Sequence, residues 1–294
     1  YKLSLSTSIF KNMDGGNNEY SIIYLDMNEV NEPTISDCVF HYNKINSIAG
    51  EIYGTLTVSN CTFEYNLDKC LVSLDYLTSK GTIEGTIFDN CTFQNQVSKS
   101  AISGHAHSNF TFRNCFIQDN LQLGIECYAP NDRYGSLMID NCSFINNTNR
   151  AAYLDSSIIG YINDSRFLYN KIEENAGAAL FIRQDSVIPP ITNCIFEGNY
   201  IPTSSDGSSG AAINFRLISE DSSASYFNVS VVIESCQFIN CSTKCKGGAI
   251  SVGNPHWGAE VSEYSGDLQI NNCIFKDCHA PKGGAIFCND GIEI

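Results

Sequence analysis

Five groups of residues in this chain have types and spacings that can do chemistry. Carboxylates come first. Glycoside hydrolysis requires two of them facing each other across the bond to be broken. Asp37, Asp89, Asp140, Asp164 and Glu234 each lie within two residues before a small residue, itself two residues before a large apolar one. Only Asp140 and Asp164 fall in adjacent copies of that pattern, and they occupy different positions in it. They read as solvent-facing acids. Imidazoles are second: His105-Ala106-His107 puts two rings on one face of an extended segment, with no third ligand evident. Thiols are third. Cys241-x3-Cys245 with Cys278 has zinc-like spacing, but a repeat explains Cys241 and Cys278 without a metal. Glycosylation sequons are fourth, at Asn60, Asn90, Asn109, Asn141, Asn146, Asn163, Asn228 and Asn240. The fifth is His256-Trp257, holding the only Trp, in a stretch that interrupts the pattern. An exposed ring there can stack on a sugar or anchor a partner; folded back, it covers the molecule. No catalytic residue, metal site or cofactor is expected from these groups.

What must position them is a repeat. Ten units align on one small residue: Ser8, Cys38, Cys61, Cys91, Cys115, Cys142, Ser165, Cys194, Cys236 and Cys273. The gaps run 30, 23, 30, 24, 27, 23, 29, 42 and 37 residues, so length varies while the anchor does not. Two residues on comes Phe10, Phe40, Phe63, Phe93, Ile117, Phe144, Phe167, Phe196, Phe238 or Phe275. A spacing of two places anchor and ring on one face of a strand. Three residues later the column reads Met13, Asn43, Asn66, Gln96, Asn120, Asn147, Asn170, Asn199, Cys241 and Cys278. Before the anchor another alternating run appears, such as Leu56 and Val58 or Leu137 and Ile139, one residue out of phase. A one-residue slip reverses the faces unless the chain turns a corner. A third, small-residue strand follows, as in Gly177-Ala178-Ala179-Leu180 and Gly247-Gly248-Ala249-Ile250.

Three short strands per unit, each pairing with its copy one unit later, predict an all-β, right-handed parallel β-helix of about ten turns. Turns about 4.8 Å apart make a rod of roughly 48 Å. The repeat runs from end to end, so one β-helix domain spans 1–294, read as a segment of a longer rod or as a unit that stacks end to end on other copies. Cys241 and Cys278 then sit in adjacent turns, close enough for a disulfide. Two free thiols filling the Asn position fit equally well.

The pairing of Phe-x-x-Asn, as at Phe40 to Asn43 and Phe144 to Asn147, with Gly-Gly-Ala-Ile at 247–250 and 283–286, resembles the polymorphic outer membrane protein repeat. That family includes surface proteins built on the pectin-lyase-like β-helix. The resemblance implies surface exposure and adhesion, and it carries over no catalytic residues. The same fold hosts polysaccharide lyases and hydrolases, so an enzyme is the alternative; a glycan- or protein-binding module using the late loops is another.

Composition bounds the partners. With 17 Lys+Arg against 32 Asp+Glu the net charge is −15, which disfavours nucleic acid and anionic membrane. No run of 18 apolar residues suggests a membrane span. Fourteen cysteines and eight sequons suit an extracellular or cell-surface location better than the cytosol. The partners expected are other copies of the chain, or a surface protein or glycan of a host or neighbouring cell.

Overall fold

In a computed structural model the residues described are 3–14, 21–26, 32–51, 54–67, 72–75, 85–97, 100–105, 109–128, 135–155, 158–173, 177–184, 189–204, 209–217, 227–253, 264–288 and 292–293. They form three parallel sheets that run the length of the molecule. The first has eleven strands, from Ser4–Ser6 to Ile292–Glu293; the second has ten, from Ile9–Lys11 to Ile274–Lys276; the third has ten, from Ser21–Asp26 to Ile286–Cys288. In each sheet every strand pairs with its own copy one turn later, as Phe63 with Phe93 and Leu137 with Gly160. A β-helix of stacked three-strand turns results.

The ring column is continuous. Phe10, Phe40, Phe63 and Phe93 stack at 4.9, 4.7 and 4.8 Å between centroids. Ile117 continues the file in register, and Phe144, Phe167, Phe196, Phe238 and Phe275 resume it at 4.8 to 4.9 Å. From Phe40 to Phe238 these side chains are wholly buried. A lone turn has nowhere to bury such a ring, so burial is shared between neighbours.

Two corners of every turn are made by one residue in the left-handed region. Thr7, Asp37, Asn60, Asn90, Asn114, Asn141, Asp164, Asn193, Ser235 and Asn272 make the first, with φ between 48° and 55°. Asn12, Tyr42, Tyr65, Asn95, Asp119, Asn146, Tyr169, Gly198, Asn240 and Asp277 make the second. The first is the phase slip read from sequence.

The corner also explains the anchor. It leaves an inward carbonyl two residues before the anchor, and the anchor side chain donates to it. Cys38 Sγ meets the Ser36 carbonyl at 3.1 Å, Cys115 Sγ that of Arg113 at 3.2 Å, and Ser165 Oγ that of Asn163 at 2.7 Å. The column requires a small donor, which Cys and Ser both supply.

The amide column does more than fill a turn. Asn147 Nδ2 donates to the Ile117 carbonyl of the preceding turn (2.9 Å), and Oδ1 of Asn170 in the next turn accepts from the Asn147 backbone N–H (3.0 Å). Asn66, Asn120 and Asn170 donate back to Phe40, Phe93 and Phe144 in the same way.

Candidate binding face

The structure brings Asp140 and Asp164 together only through an amide. Asn163 lies opposite Asp140 across the first sheet, and its Nδ2 donates to Asp164 Oδ2 at 2.7 Å and to Asp140 Oδ1 at 3.4 Å. His105 ends the strand Ser100–His105, opposite Asp75 and Tyr128, while His107 lies outside the described residues. No group of three or more His, Cys, Asp or Glu among the described residues is arranged to hold a metal ion. His256 and Trp257 also lie outside the described residues.

Every described cysteine is a free thiol, Cys241 and Cys278 included, so of the two readings for that pair the structure contains thiols and no disulfide. The reason is in the amide column. Cys241 Sγ points at the Phe196 carbonyl (3.5 Å) and Cys278 Sγ at that of Phe238 (3.4 Å), as the Asn amides do elsewhere. The neighbouring Cys241 thiol holds the Cys278 pKa below the ordinary thiol value, at about 7.

The sequon asparagines have a conformational origin. Asn60, Asn90 and Asn141 stand at the first corner and Asn146 and Asn240 at the second, where Asn tolerates positive φ better than most residues. Asn-Cys-Thr or Asn-Cys-Ser is then a corner, an anchor and a strand residue in succession. Their amides form ladders along the rod: Asn90 Nδ2 to Asn60 Oδ1 at 2.9 Å, Asn60 Nδ2 to Asp37 Oδ1 at 3.1 Å, Asn141 Nδ2 to Asn114 Oδ1 at 2.8 Å, Asn146 Nδ2 to Asp119 Oδ1 at 2.8 Å. Asn163 ends the strand Ile158–Asn163, Asn109 begins Asn109–Arg113, and Asn228 lies within Phe227–Glu234.

Two surfaces escaped the sequence reading. One is an aromatic edge at the second corner. Tyr42 and Tyr65 occupy it at φ 52° and 53°, are 43% and 40% exposed, and stack at 5.2 Å. The His41 ring packs 4.0 Å from Tyr42, and its Nδ1 lies 2.8 Å from Glu64 Oε1. Gln94 Nε2 donates to Glu64 Oε2 and Gln118 Nε2 to Gln94 Oε1, each at 2.9 Å, so a polar file runs beside the rings. Leu67, Val97 and Leu121, exposed in successive turns, extend the apolar edge. Tyr169 holds the same corner further along and is exposed; Gly198 in the next turn makes room for it, since a Cβ there would sit 2.4 Å from the Tyr169 ring. The signal was the residue before Asn in Phe-x-x-Asn, which is Tyr in three turns.

The other surface is a charged cluster on the outer face of the third sheet. Tyr153, Phe181 and Asn214 are in register there, and so are Asp155, Arg183 and Arg216 two residues on. Leu154, Ile182 and Phe215 between them are fully buried, which sends the flanking residues outward. Tyr153 and Phe181 stack at 5.4 Å. Arg150, at φ 93° just ahead of the strand Ala152–Asp155, lays its guanidinium 4.5 Å from the Phe181 ring centroid and donates from Nε to the Gly177 carbonyl. Burial lowers the Arg150 pKa to about 10. Asp155, nearly buried, accepts from Tyr153 Oη at 2.7 Å and from Arg183 Nη1 at 3.0 Å. Burial and then the bond to Asp155 push the Tyr153 phenol up to about 12. Burial works against the Arg183 charge, but Asp155 and Tyr153 outweigh it and its pKa rises. For Arg216 burial and then repulsion from Arg183 act together, and its pKa falls.

With the geometry in hand, comparison with known proteins gives one result. The family described as a right handed beta helix region matches residues 76–218, somewhat under half of the chain. No curated protein and no solved structure matches. Strand stacking and family match agree on the class: a right-handed parallel β-helix of the pectin-lyase-like type. The match concerns the architecture and does not single out the polymorphic outer membrane protein repeat. No helix among the described residues is long and apolar enough to cross a membrane.

Proposed function

We propose that the chain is a non-enzymatic adhesive rod, displayed outside the cell or on its surface, which meets a surface protein or glycan along its aromatic edge. The observation that carries this reading is the placement of Tyr42 and Tyr65 at left-handed corners where most other turns use Asn, Asp or Gly. A bulky residue at positive φ costs roughly 1–2 kcal/mol, and such strain is typically retained where function uses it. Here it holds two exposed rings beside a file of His41, Glu64, Gln94 and Gln118, the mixture of flat apolar and fixed polar groups found in recognition sites. Against hydrolysis stands the tethering of Asp140 and Asp164 to one amide, which sits where a substrate and water would have to lie between two catalytic carboxylates.

Binding of the purified chain to intact cells and to arrayed glycans tests the reading. Wild type should bind, and Tyr42→Asn with Tyr65→Asn should lose at least tenfold in affinity while keeping its circular dichroism, a loss of about 1.4 kcal/mol. Equal binding by the double variant would remove the aromatic edge from the mechanism. Cleavage of an acidic polysaccharide by wild type, abolished in Asp140→Asn or Asp164→Asn, would establish the enzyme instead.

A further inference from the structure

Arg216 is anomalous in an acidic protein. Its Nε is buried and has no hydrogen-bond partner. No described carboxylate pairs with it; Asp155 is bound to Arg183, one strand away. Two guanidiniums in register on neighbouring parallel strands lie about 4.8 Å apart at the backbone, and only one is neutralised. A guanidinium left half-desolvated beside another cation raises the energy of the unliganded fold, since removing a charge from water without a partner is costly.

We propose that Arg216, flanked by Arg183 and Tyr153, is the anchor of a carboxylate-binding site on the outer face of the third sheet. The guanidinium fork matches the two oxygens of a carboxylate. The charge balance selects the ligand class. Arg183, Arg216 and Asp155 together carry one net positive charge, which a monoanion cancels. A dianion such as sulfate over-compensates, with the Asp155 carboxylate close by to repel it. The chain's net charge of −15 further disfavours polyanions. The ligand is therefore the carboxylate of a small acid or of an acidic sugar, and this inference stands apart from the aromatic edge, which lies at a corner of other turns.

The test is a titration of the 15N-labelled chain at constant ionic strength, following the arginine Nε–Hε resonances, with glucuronate, acetate, glucose and sulfate in turn. The Arg216 resonance, assigned through Arg216→Lys, should shift saturably with glucuronate and acetate and stay fixed with glucose. A preference for glucuronate over acetate marks a sugar acid; equal response marks the carboxylate alone. Arg216→Lys, which keeps charge and loses the fork, should weaken glucuronate binding at least tenfold with unchanged circular dichroism. Asp155→Asn removes the competing charge and should tighten binding by about tenfold. An immobile Arg216 resonance with both acids, an equal response to glucose, a stronger response to sulfate, or undiminished binding in Arg216→Lys would each overturn the site.

Discussion

At the scale of the residue, the molecule is governed by which side chains a left-handed corner accepts and what that corner exposes. Tyr42 at φ 52° is a poor choice for the backbone and a productive one for the surface. Tyr42→Asn should therefore raise stability by about 0.5–1 kcal/mol, read as a higher urea midpoint, even as adhesion falls. A lower midpoint would mean that stacking on Tyr65 and His41 outweighs the backbone strain. The anchor makes a second case. Cys142 Sγ donates to the Asp140 carbonyl at 3.2 Å and accepts from the Cys115 backbone N–H at 3.5 Å. Removing it strands the buried Cys115 N–H, while the Asp140 carbonyl keeps the Asn114 N–H at 3.1 Å, so Cys142→Ala should cost about 1–2 kcal/mol. Cys142→Ser, which reproduces what Ser165 already does, should cost clearly less. If the two substitutions are equivalent, the column is filler and the hydrogen bond is incidental.

At the scale of the element, strands of three residues cannot stand on their own pairing, and the columns between them supply the rest. Asn147 shows the arrangement most fully: its amide serves Ile117 behind and Asn170 ahead, and its Oδ1 accepts from the backbone and side chain of Asn120. Asn147→Leu fits the volume but strands the Asn120 N–H in the interior and takes from the Ile117 carbonyl the second of its two donors, and denaturant melts should show a loss of about 2–3 kcal/mol. A loss below that of a typical surface substitution would make the ladder dispensable. These columns were legible in the sequence because identity at a fixed offset needs no knowledge of distance. Phe-x-x-Asn and the anchor gave the strand faces, the first corner and the order of sheets. The second corner was legible only as a turn at the amide column; the residue that makes it was not, because Asn12, Tyr42, Asp119 and Gly198 share a backbone angle and no side-chain chemistry. Nor was the Arg183–Asp155–Arg216 cluster. Its members are separated by 28 and 33 residues, and gaps of variable length hide their common position until the third sheet is paired. The anchor was legible as a small residue and not as a donor; Ser8 and Ser165 in the same column were the clue that a donor was required.

At the scale of the whole molecule, each turn contacts mainly the turn before and the turn after, so the fold should tolerate loss of a complete period and not of a fraction. Removing residues 115–141 joins Asn114, a first-corner residue at φ 54°, directly to Cys142, an anchor. Phe144 then takes the place of Ile117 above Phe93, Asn147 that of Asn120 above Gln96, and the strand Ile158–Asn163 that of Gly135–Asp140 beside Asn109–Arg113. Every column stays in phase. Small-angle scattering should find a folded rod shorter by about 4.8 Å, with unchanged β-type circular dichroism. Removing 115–128 takes a second and a third strand without the first strand that follows, and sets every later turn out of phase. One file of rings would then face another file's amides, and that variant should aggregate or unfold. If both deletions fold, or both fail, stability does not propagate turn by turn, and the core behaves as one cooperative block in which the repeat is only a matter of sequence.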